Sequence, residues 1–355
     1  MYLQNLRLYH FRNYEDRFFT FSAGLNCIVG KNGSGKTNLL DAVYFLALSK
    51  SSIHAQDQLS IRFGEDFCVV EGAFSTDRDE VVACHLQRQG RKTVTADKKV
   101  YEKLSDHIGK YPVVLIAPND TDLVRDGAET RRKLFDGILS QLYPDYLQTY
   151  LRYNKALDQR NGLLKQFAEQ QFFDPDLLKI YSEQIIALGK KIFESRRDFI
   201  QGFTPLFNTH YASLSENREE VTLTYVSDLE DDDFEPRFYA HTERDLAAQR
   251  TTLGVHKDDY EFLMSGMPVK KFGSQGQRKS YVMALKLAQF DCIHREKGLK
   301  PILLLDDIFD KLDDRRIERL IEMIHAGSFG QVFITDARPE RTGEMLGGNV
   351  NFIRL

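Results

Sequence analysis

Hydrophobic and polar positions follow three different rhythms along the chain. Up to about residue 118 the apolar residues fall in short β-like runs: LNCIV (25–29), DFCVVEGAF (66–74) and VVACHLQ (81–87). Gly24, Gly64, Gly72 and Gly90 punctuate them. YPVVLIAP (111–118) reads as a buried strand stopped by a proline. From about 130 to 215 the period lengthens to that of a helix. Leu178, Tyr181, Ile185, Leu188, Ile192 and Phe199 follow steps of three and four, with Ser195 in the one polar slot. A second helical stretch, roughly 143–171, precedes this stripe, and FFDPD (172–176) supplies a turn between the two. The pair predicts an antiparallel helical hairpin, too short for a sustained coiled coil. From about 250 the β/α character returns, with PILLLDD (301–307) and QVFITD (331–336) as buried strands. Two such regions around a helical middle leave two arrangements open: one α/β domain interrupted by an insertion, or two domains in series.

The 355 residues are enough for two structural units, and 42% hydrophobic with 28% charged residues is an ordinary globular balance. A formal charge of −4 gives no global attraction to nucleic acid or to an anionic membrane. Any DNA-binding face must then be a local basic patch offset by acid elsewhere, and SDLEDDDFE (228–236), read as a solvated loop, is one such offset. The N-terminus lacks the apolar core of a signal peptide, and no apolar run approaches the roughly 18–20 residues of a membrane span. Cys27, Cys68, Cys84 and Cys292 are scattered, with no CxxC pair. Reduced structural thiols in a cytoplasmic protein are the simplest account, and a zinc site is not expected.

GKNGSGKT (30–37) fits the phosphate-loop pattern G-x-x-x-x-G-K-[ST]. An apolar strand, LNCIV, leads into it, and TNLLDAVYFLAL, a helical stretch, leads out. Gly30, Gly33 and Gly35 let the backbone curl so that the N–H groups of Lys31, Asn32, Ser34 and their neighbours face one concavity at a helix N-terminus. Lys36 would reach the β- and γ-phosphates, and Thr37 would complete a Mg²⁺ shell. Alone, the loop says only that ATP or GTP is gripped. Its usual partner is an acid at the end of a buried strand, and ILLLDD (302–307) supplies two. Asp306 would hold Mg²⁺; Asp307 would orient or deprotonate the attacking water. The third element, GSQGQ (273–277), precedes YVMALKLAQF, which reads as an amphipathic helix. Ser274 there can cap the helix or present its hydroxyl to a phosphate, with Gly276 and Gln277 beside it.

Together these residues resemble the ABC-type ATPases, in which two protomers sandwich two ATP molecules and each signature serine contacts the γ-phosphate held by the other subunit. DKLD (310–313) is similar to that family's loop after the acidic strand. The switch histidine is missing, because Asp336 follows Thr335. The spacing between Lys36 and Ser274 is also far longer than in transporter subunits.

A closer resemblance is to the RecF family of bacterial recombination-repair proteins, relatives of the SMC ATPases. It runs in order through YHFRNYEDRFFTFSAGLNCIVGKNGSGKTNLLDAVYFLA, IAPNDTDLVRDGAETRRKLFD, YNKALDQRNGLLK, TTLGVHKDDYEFLM, FGSQGQRKSYVMALKLAQ and ILLLDDIFDKLD. Asn119, Val255 and Lys257 depart from the usual acid, proline and arginine. The resemblance implies an ABC/SMC-type head, 1–118 and 250–355, of mixed sheets with flanking helices, interrupted by a mainly helical insertion at 119–249. It implies ATP and Mg²⁺ as cofactors, weak ATPase activity, and an ATP-dependent homodimer that binds junctions of single- and double-stranded DNA. The partners it implies are RecR directly, and RecO and RecA in recombinase loading. Arg12 and Asn13 match a position that touches nucleotide phosphates in related SMC-type heads. An ABC-type ATPase acting on a transporter or ribosomal partner is the alternative. The basic runs Arg91–Lys92, Lys98–Lys99, Arg131–Arg132–Lys133, Lys190–Lys191, Arg196–Arg197 and Lys270–Lys271 are candidate phosphate contacts, though each reads more readily as a solvated face or local ion pair. His256 with Asp258 and Asp259 reads as a structural motif, not a metal cluster.

Overall fold

The short β-like runs near the N-terminus form an antiparallel sheet in the computed structural model, which describes residues 1–215, 219–311, 314–347 and 350–355. Tyr2–Phe11 lies between Tyr14–Thr20 and Phe67–Ser75, and Asp79–Gln87, Thr93–Ala96 and Lys99–Val100 extend the sheet. Period-2 alternation puts Leu6, Leu8, Cys68, Val70, Cys84 and Leu86 into the core. The helix Lys36–Leu48 joins that core with Leu39, Leu40, Ala42, Val43 and Phe45–Leu48 all buried. A helix apolar on nearly every side belongs between layers, and this one also contacts the strands Val332–Asp336 and Val113–Ile116 of a second sheet.

That second sheet is wholly parallel, in the order Val350–Arg354, Leu25–Val29, Val332–Asp336, Ile302–Leu305, Val113–Ile116. Its inner strands are buried almost throughout, as expected of a parallel sheet covered on both faces, with Asn26, Thr335 and Asp336 as buried polar members. All five carboxyl ends therefore point the same way, which is where an α/β sheet places its ligand.

The chain divides into two compact units: Met1–Thr121 with Lys279–Leu355, and Asp122–Arg278. The α/β unit is thus discontinuous in sequence, and it resumes at Lys279, later than the residue 250 expected from the hydrophobic pattern and the resemblance. Residues 250–278 stay with the insertion for two reasons. Asp259–Met264 pairs antiparallel with Val221–Val226, and Arg196 binds the Asp258 carboxylate at 2.9 Å. The insertion accordingly carries a small three-stranded sheet besides its helices.

Within the insertion, Pro144–Gln170 and Pro175–Ser215 form the hairpin. Gln171 ends the first helix in the left-handed region (φ 51°), and Asp174 accepts the Leu177 N–H at 3.0 Å to start the second. The apolar stripe is present as Leu178, Ile185, Ile192, Phe199 and Phe203. Its buried polar members are Ser182 and Arg196, whereas Ser195 bonds back to the Lys191 carbonyl. The acidic stretch at 228–236 is largely exposed, as expected, and Arg237 pairs at the surface with Asp228, Asp231 and Asp233.

The helix Gln275–Lys297 departs from the amphipathic expectation. Every residue from Ser280 to Phe290 is buried, and Lys286 is neutralised by Asp120 at 2.9 Å. Among the described residues, no helix is long and apolar enough to cross a membrane.

Candidate nucleotide site

The strand Leu25–Val29 delivers the chain to Gly30, and the helix begins at Lys36, so residues 30–35 form the loop between them. Gly35 sits at φ 108°, outside the range of L side chains, and a Cβ there would lie 2.5 Å from Asn13 Nδ2 and 2.9 Å from Tyr14 Oη. Gly33 is also left-handed (φ 83°), and a Cβ on Gly30 would meet Ser34 Oγ at 2.6 Å. The loop backbone has room for no side chain at either end. Lys36 Nζ donates to the carbonyls of Gly30 (2.8 Å) and Lys31 (3.1 Å), which holds its charge inside the loop at the positive end of the helix. Lys31 and Asn32 are exposed. Ser34 Oγ is buried and meets no hydrogen-bond partner among the described residues.

The structure brings Thr37 and Asp306 together across 269 residues: Thr37 Oγ1 donates to Asp306 Oδ1 at 3.1 Å. The adjacent parallel strands Ile302–Leu305 and Val332–Asp336 place Thr335 at the same carboxylate oxygen, 2.8 Å away. Burial pushes the Asp306 carboxyl up from its ordinary range, and the Thr335 and Thr37 hydroxyls pull against that shift. A hydroxyl and a buried carboxylate, both hard oxygen donors beside a phosphate loop, are the donor set that suits Mg²⁺. Asp307 follows in the left-handed region (φ 48°), its N–H donated to Thr335 Oγ1 at 2.8 Å.

Arg12 and Asn13 reach the loop by a relay. Arg12 donates to Asp41 (2.7 Å), Ser51 (2.8 Å) and Asn38 (3.1 Å). Asn38 then donates to Asn13 Oδ1 (2.7 Å), and Asn13 Nδ2 to the Ser34 carbonyl (3.3 Å). Tyr14 Oη adds a bond to the Gly35 carbonyl at 3.0 Å. Tyr14, Asn38, Asp41 and Ser51 had drawn no attention in the sequence. Asn38 and Asp41 at least lie inside the loop's own helix, whereas Tyr14 and Ser51 lie outside it.

Ser274, Gly276 and Gln277 belong to the second unit. Ser274 Oγ accepts the Gln277 N–H at 3.2 Å, and Gln277 Oε1 accepts the Ser274 N–H at 2.7 Å, a reciprocal capping box. Gln277 is fixed further by Glu219 (2.9 Å). Of the stretch DKLD, Leu312 and Asp313 lie outside the described residues.

Several basic candidates are occupied inside their own unit. Arg131 clasps Asp259 with two bonds of 2.8 Å, and Arg132 donates to the Asp258 carbonyl. Arg196 holds both Asp136 and Asp258, and Lys92 pairs with Asp57. His256 is bonded to Tyr153 (2.7 Å) and the Thr251 carbonyl (3.1 Å), a structural placement. Lys98, Lys99, Lys190, Lys191 and Lys271 are exposed.

The model of the RecF/RecN/SMC N-terminal domain matches residues 2–351. The chain belongs to the RecF family. The DNA replication and repair protein RecF of Flavobacterium johnsoniae is 45% identical over 96% of this chain and 96% of its own length. That of Cytophaga hutchinsonii is 42% identical over 100% and 94%. A solved structure of the recombination mediator protein RecF-ATPrS in the RecFOR pathway superposes with a TM-score of 0.90 at 26% identity, covering 99% of this chain and 96% of that one. A second, of RecF-ATP, gives 0.88 at 27% over 95% and 92%. An Smc head bound to a domain of ScpA shares the head fold, with a TM-score of 0.53 at 17% identity over 96% and 90%. The fold is therefore that of an ABC/SMC-type ATPase head with an insertion.

Proposed function

We propose that this chain is an ATP-dependent DNA-binding protein of replication and repair, in which weak ATP hydrolysis acts as a switch. The observation that carries the reading is the meeting of Thr37 and Asp306 at 3.1 Å beside the Lys36 loop. It joins the phosphate-gripping and acidic elements into one site. Residues Gly30–Thr37 cradle the phosphates with backbone N–H groups, and Lys36 neutralises their charge. Asn13 steadies the loop at Ser34, and Arg12 acts through Asn38. Thr37 and Asp306 hold Mg²⁺, which when bound offsets charge on the phosphate oxygens. Asp307 orients or deprotonates the attacking water.

The Ser274–Gln277 turn supports a composite site. A capping box presents a rigid serine at a helix N-terminus, and Ser274 itself is exposed. In a homodimer closed by ATP, Ser274, Gly276 and Gln277 of one copy face the γ-phosphate held by the other. The closed dimer binds junctions of single- and double-stranded DNA through phosphate contacts, so affinity falls steeply with salt. It works with RecR, and through RecO and RecA in gap repair and at stalled forks.

Sedimentation with ATP, with ADP and with gapped duplex DNA tests this reading. The wild type should dimerise with ATP and bind the gapped duplex, and Lys36→Ala should lose nucleotide binding altogether. Ser274→Arg should bind ATP yet stay monomeric. Tight ATP binding by Lys36→Ala removes the loop's assigned role; dimerisation of Ser274→Arg removes the trans-acting serine.

A further inference from the structure

The two consecutive acids at the end of Ile302–Leu305 pose a geometric problem. In an extended strand neighbouring side chains point to opposite faces, and a strand that simply ended would leave the second acid undirected. Here the chain turns into the left-handed region at Asp307 (φ 48°), a conformation uncommon for L side chains, though Asp tolerates it better than most. One atom holds both sides of that turn. Thr335 Oγ1 donates its proton to Asp306 Oδ1 at 2.8 Å, and its lone pair accepts the Asp307 N–H at 2.8 Å. Thr335 is itself 1% exposed and lies in the next parallel strand, where the pairing of Leu305 with Ile334 fixes its height beside the two acids. A hydroxyl has one proton, so its direction is set: donor to the carboxylate, acceptor from the amide.

The neighbouring side chain does not share this task. The Asp336 carboxylate is turned to the Thr342 hydroxyl, and Asp336 is 1% exposed. The position at which ABC-type ATPases carry a histidine is thus used inside this fold.

We infer that Thr335 is a positioning residue for hydrolysis, its hydroxyl fixing the Asp306 carboxylate and the Asp307 backbone relative to each other. The inference rests on the proposed ATPase reading and names the group that keeps the water-directing acid in place. Thr335 would act through the two acids, because its hydroxyl is committed to the Asp306 carboxylate and the Asp307 N–H. Valine matches threonine in shape and lacks the hydroxyl, whereas serine keeps the hydroxyl.

The experiment compares wild type, Thr335→Val and Thr335→Ser in the full chain by two readouts. Amide exchange of the 302–309 segment tests the geometry without any turnover. It should quicken in Thr335→Val, whose Asp307 N–H loses its acceptor, and stay near wild type in Thr335→Ser. Steady-state hydrolysis tests the role. Thr335→Val should lose at least about tenfold in kcat, the rate equivalent of one buried hydrogen bond, with little change in KM or in affinity for a fluorescent ATP analogue. Thr335→Ser should recover most of the rate. Wild-type kcat in Thr335→Val overturns the proposal, and so does a Thr335→Ser as slow as Thr335→Val. Loss of nucleotide affinity in place of kcat overturns it too. A wild type that hydrolyses no faster than Lys36→Ala defeats the ATPase reading instead, and exchange then still decides whether Thr335 anchors the Asp307 amide.

Discussion

His256 and Asp258, two residues apart on one turn, are expected to push the pH dependence of stability in opposite directions. Burial between Tyr153 and the Thr251 carbonyl pulls the His256 imidazole from 6.5 down to about 4. Burial pushes the Asp258 carboxyl from 3.8 up to about 6, against the pull of Arg196 and Tyr225. For His256 the unfolded chain takes up its proton first as pH falls through 6.5, so stability is lost on the way to pH 4. For Asp258 the folded chain takes up its proton first, near pH 6, so stability is gained on the way to 3.8. With one pKa unit equal to about 1.4 kcal/mol, linkage puts the His256 loss between pH 7 and 4.5 at about 2.5 kcal/mol and the Asp258 gain at about 2 kcal/mol. The two nearly cancel. The perturbation that separates them is substitution of one at a time. His256→Gln should gain about 2.5 kcal/mol relative to wild type between pH 7 and pH 4.5, and Asp258→Asn should lose about 2 kcal/mol over the same interval. Urea denaturation followed by far-ultraviolet circular dichroism at the two pH values gives both differences, and the subtraction removes the other carboxylates. Differences that stay flat with pH in both variants, or move together in one direction, would refute the opposed-linkage argument.

Three further outcomes follow from individual contacts. Gly35→Ala should abolish nucleotide binding and destabilise the α/β unit by about 2–3 kcal/mol, the combined effect of a left-handed alanine and displaced Asn13 and Tyr14; titration with a fluorescent nucleotide and a melting curve check it. Arg160→Met leaves the buried Asp245 carboxylate without its 2.7 Å partner and should cost about 3–5 kcal/mol, partly restored by adding Asp245→Asn, as read from urea midpoints. Asp307→Asn should slow hydrolysis and lengthen the life of the ATP-bound dimer, measured by phosphate release and sedimentation; unchanged turnover would assign water orientation to another group.

What could be read in the sequence was local or periodic. The loop Gly30–Thr37 announces itself because glycines, lysine and threonine must sit at fixed spacing around a phosphate. The strand ILLLDD shows as an apolar run with acids at its end, and the hairpin helices show in their three-and-four stripe. The contacts that complete the site have no such signature. Thr335 is one hydroxyl in an apolar strand, and its meaning depends on strand order. Arg12 lies far in sequence from Asp41 and Ser51, and nothing in the spacing says that it will be bound there. The same limit moved the boundary from 250 to 279, because Asp258 and Asp259 answer to Arg196 and Arg131 in the insertion. It also hid the burial of Arg160 and Arg196 on helices whose charged residues otherwise face water.

The order of the parallel sheet has a consequence for how the protein is made. Leu25–Val29 lies between strands from residues 332–336 and 350–354, and Ile302–Leu305 lies between strands from 113–116 and 332–336. A ribosome must therefore synthesise the whole insertion before the strand that feeds the phosphate loop acquires a parallel neighbour, and before Thr37 can meet Asp306. Until then LNCIV has no parallel strand to pair with, although its helix can already pack on the N-terminal antiparallel sheet. Contacts of such long sequence separation form slowly. Folding of the α/β unit should accordingly lag behind that of the hairpin, whose helices can pack as soon as they emerge. The nucleotide grip, encoded near the start of the chain, is among the last features to take shape.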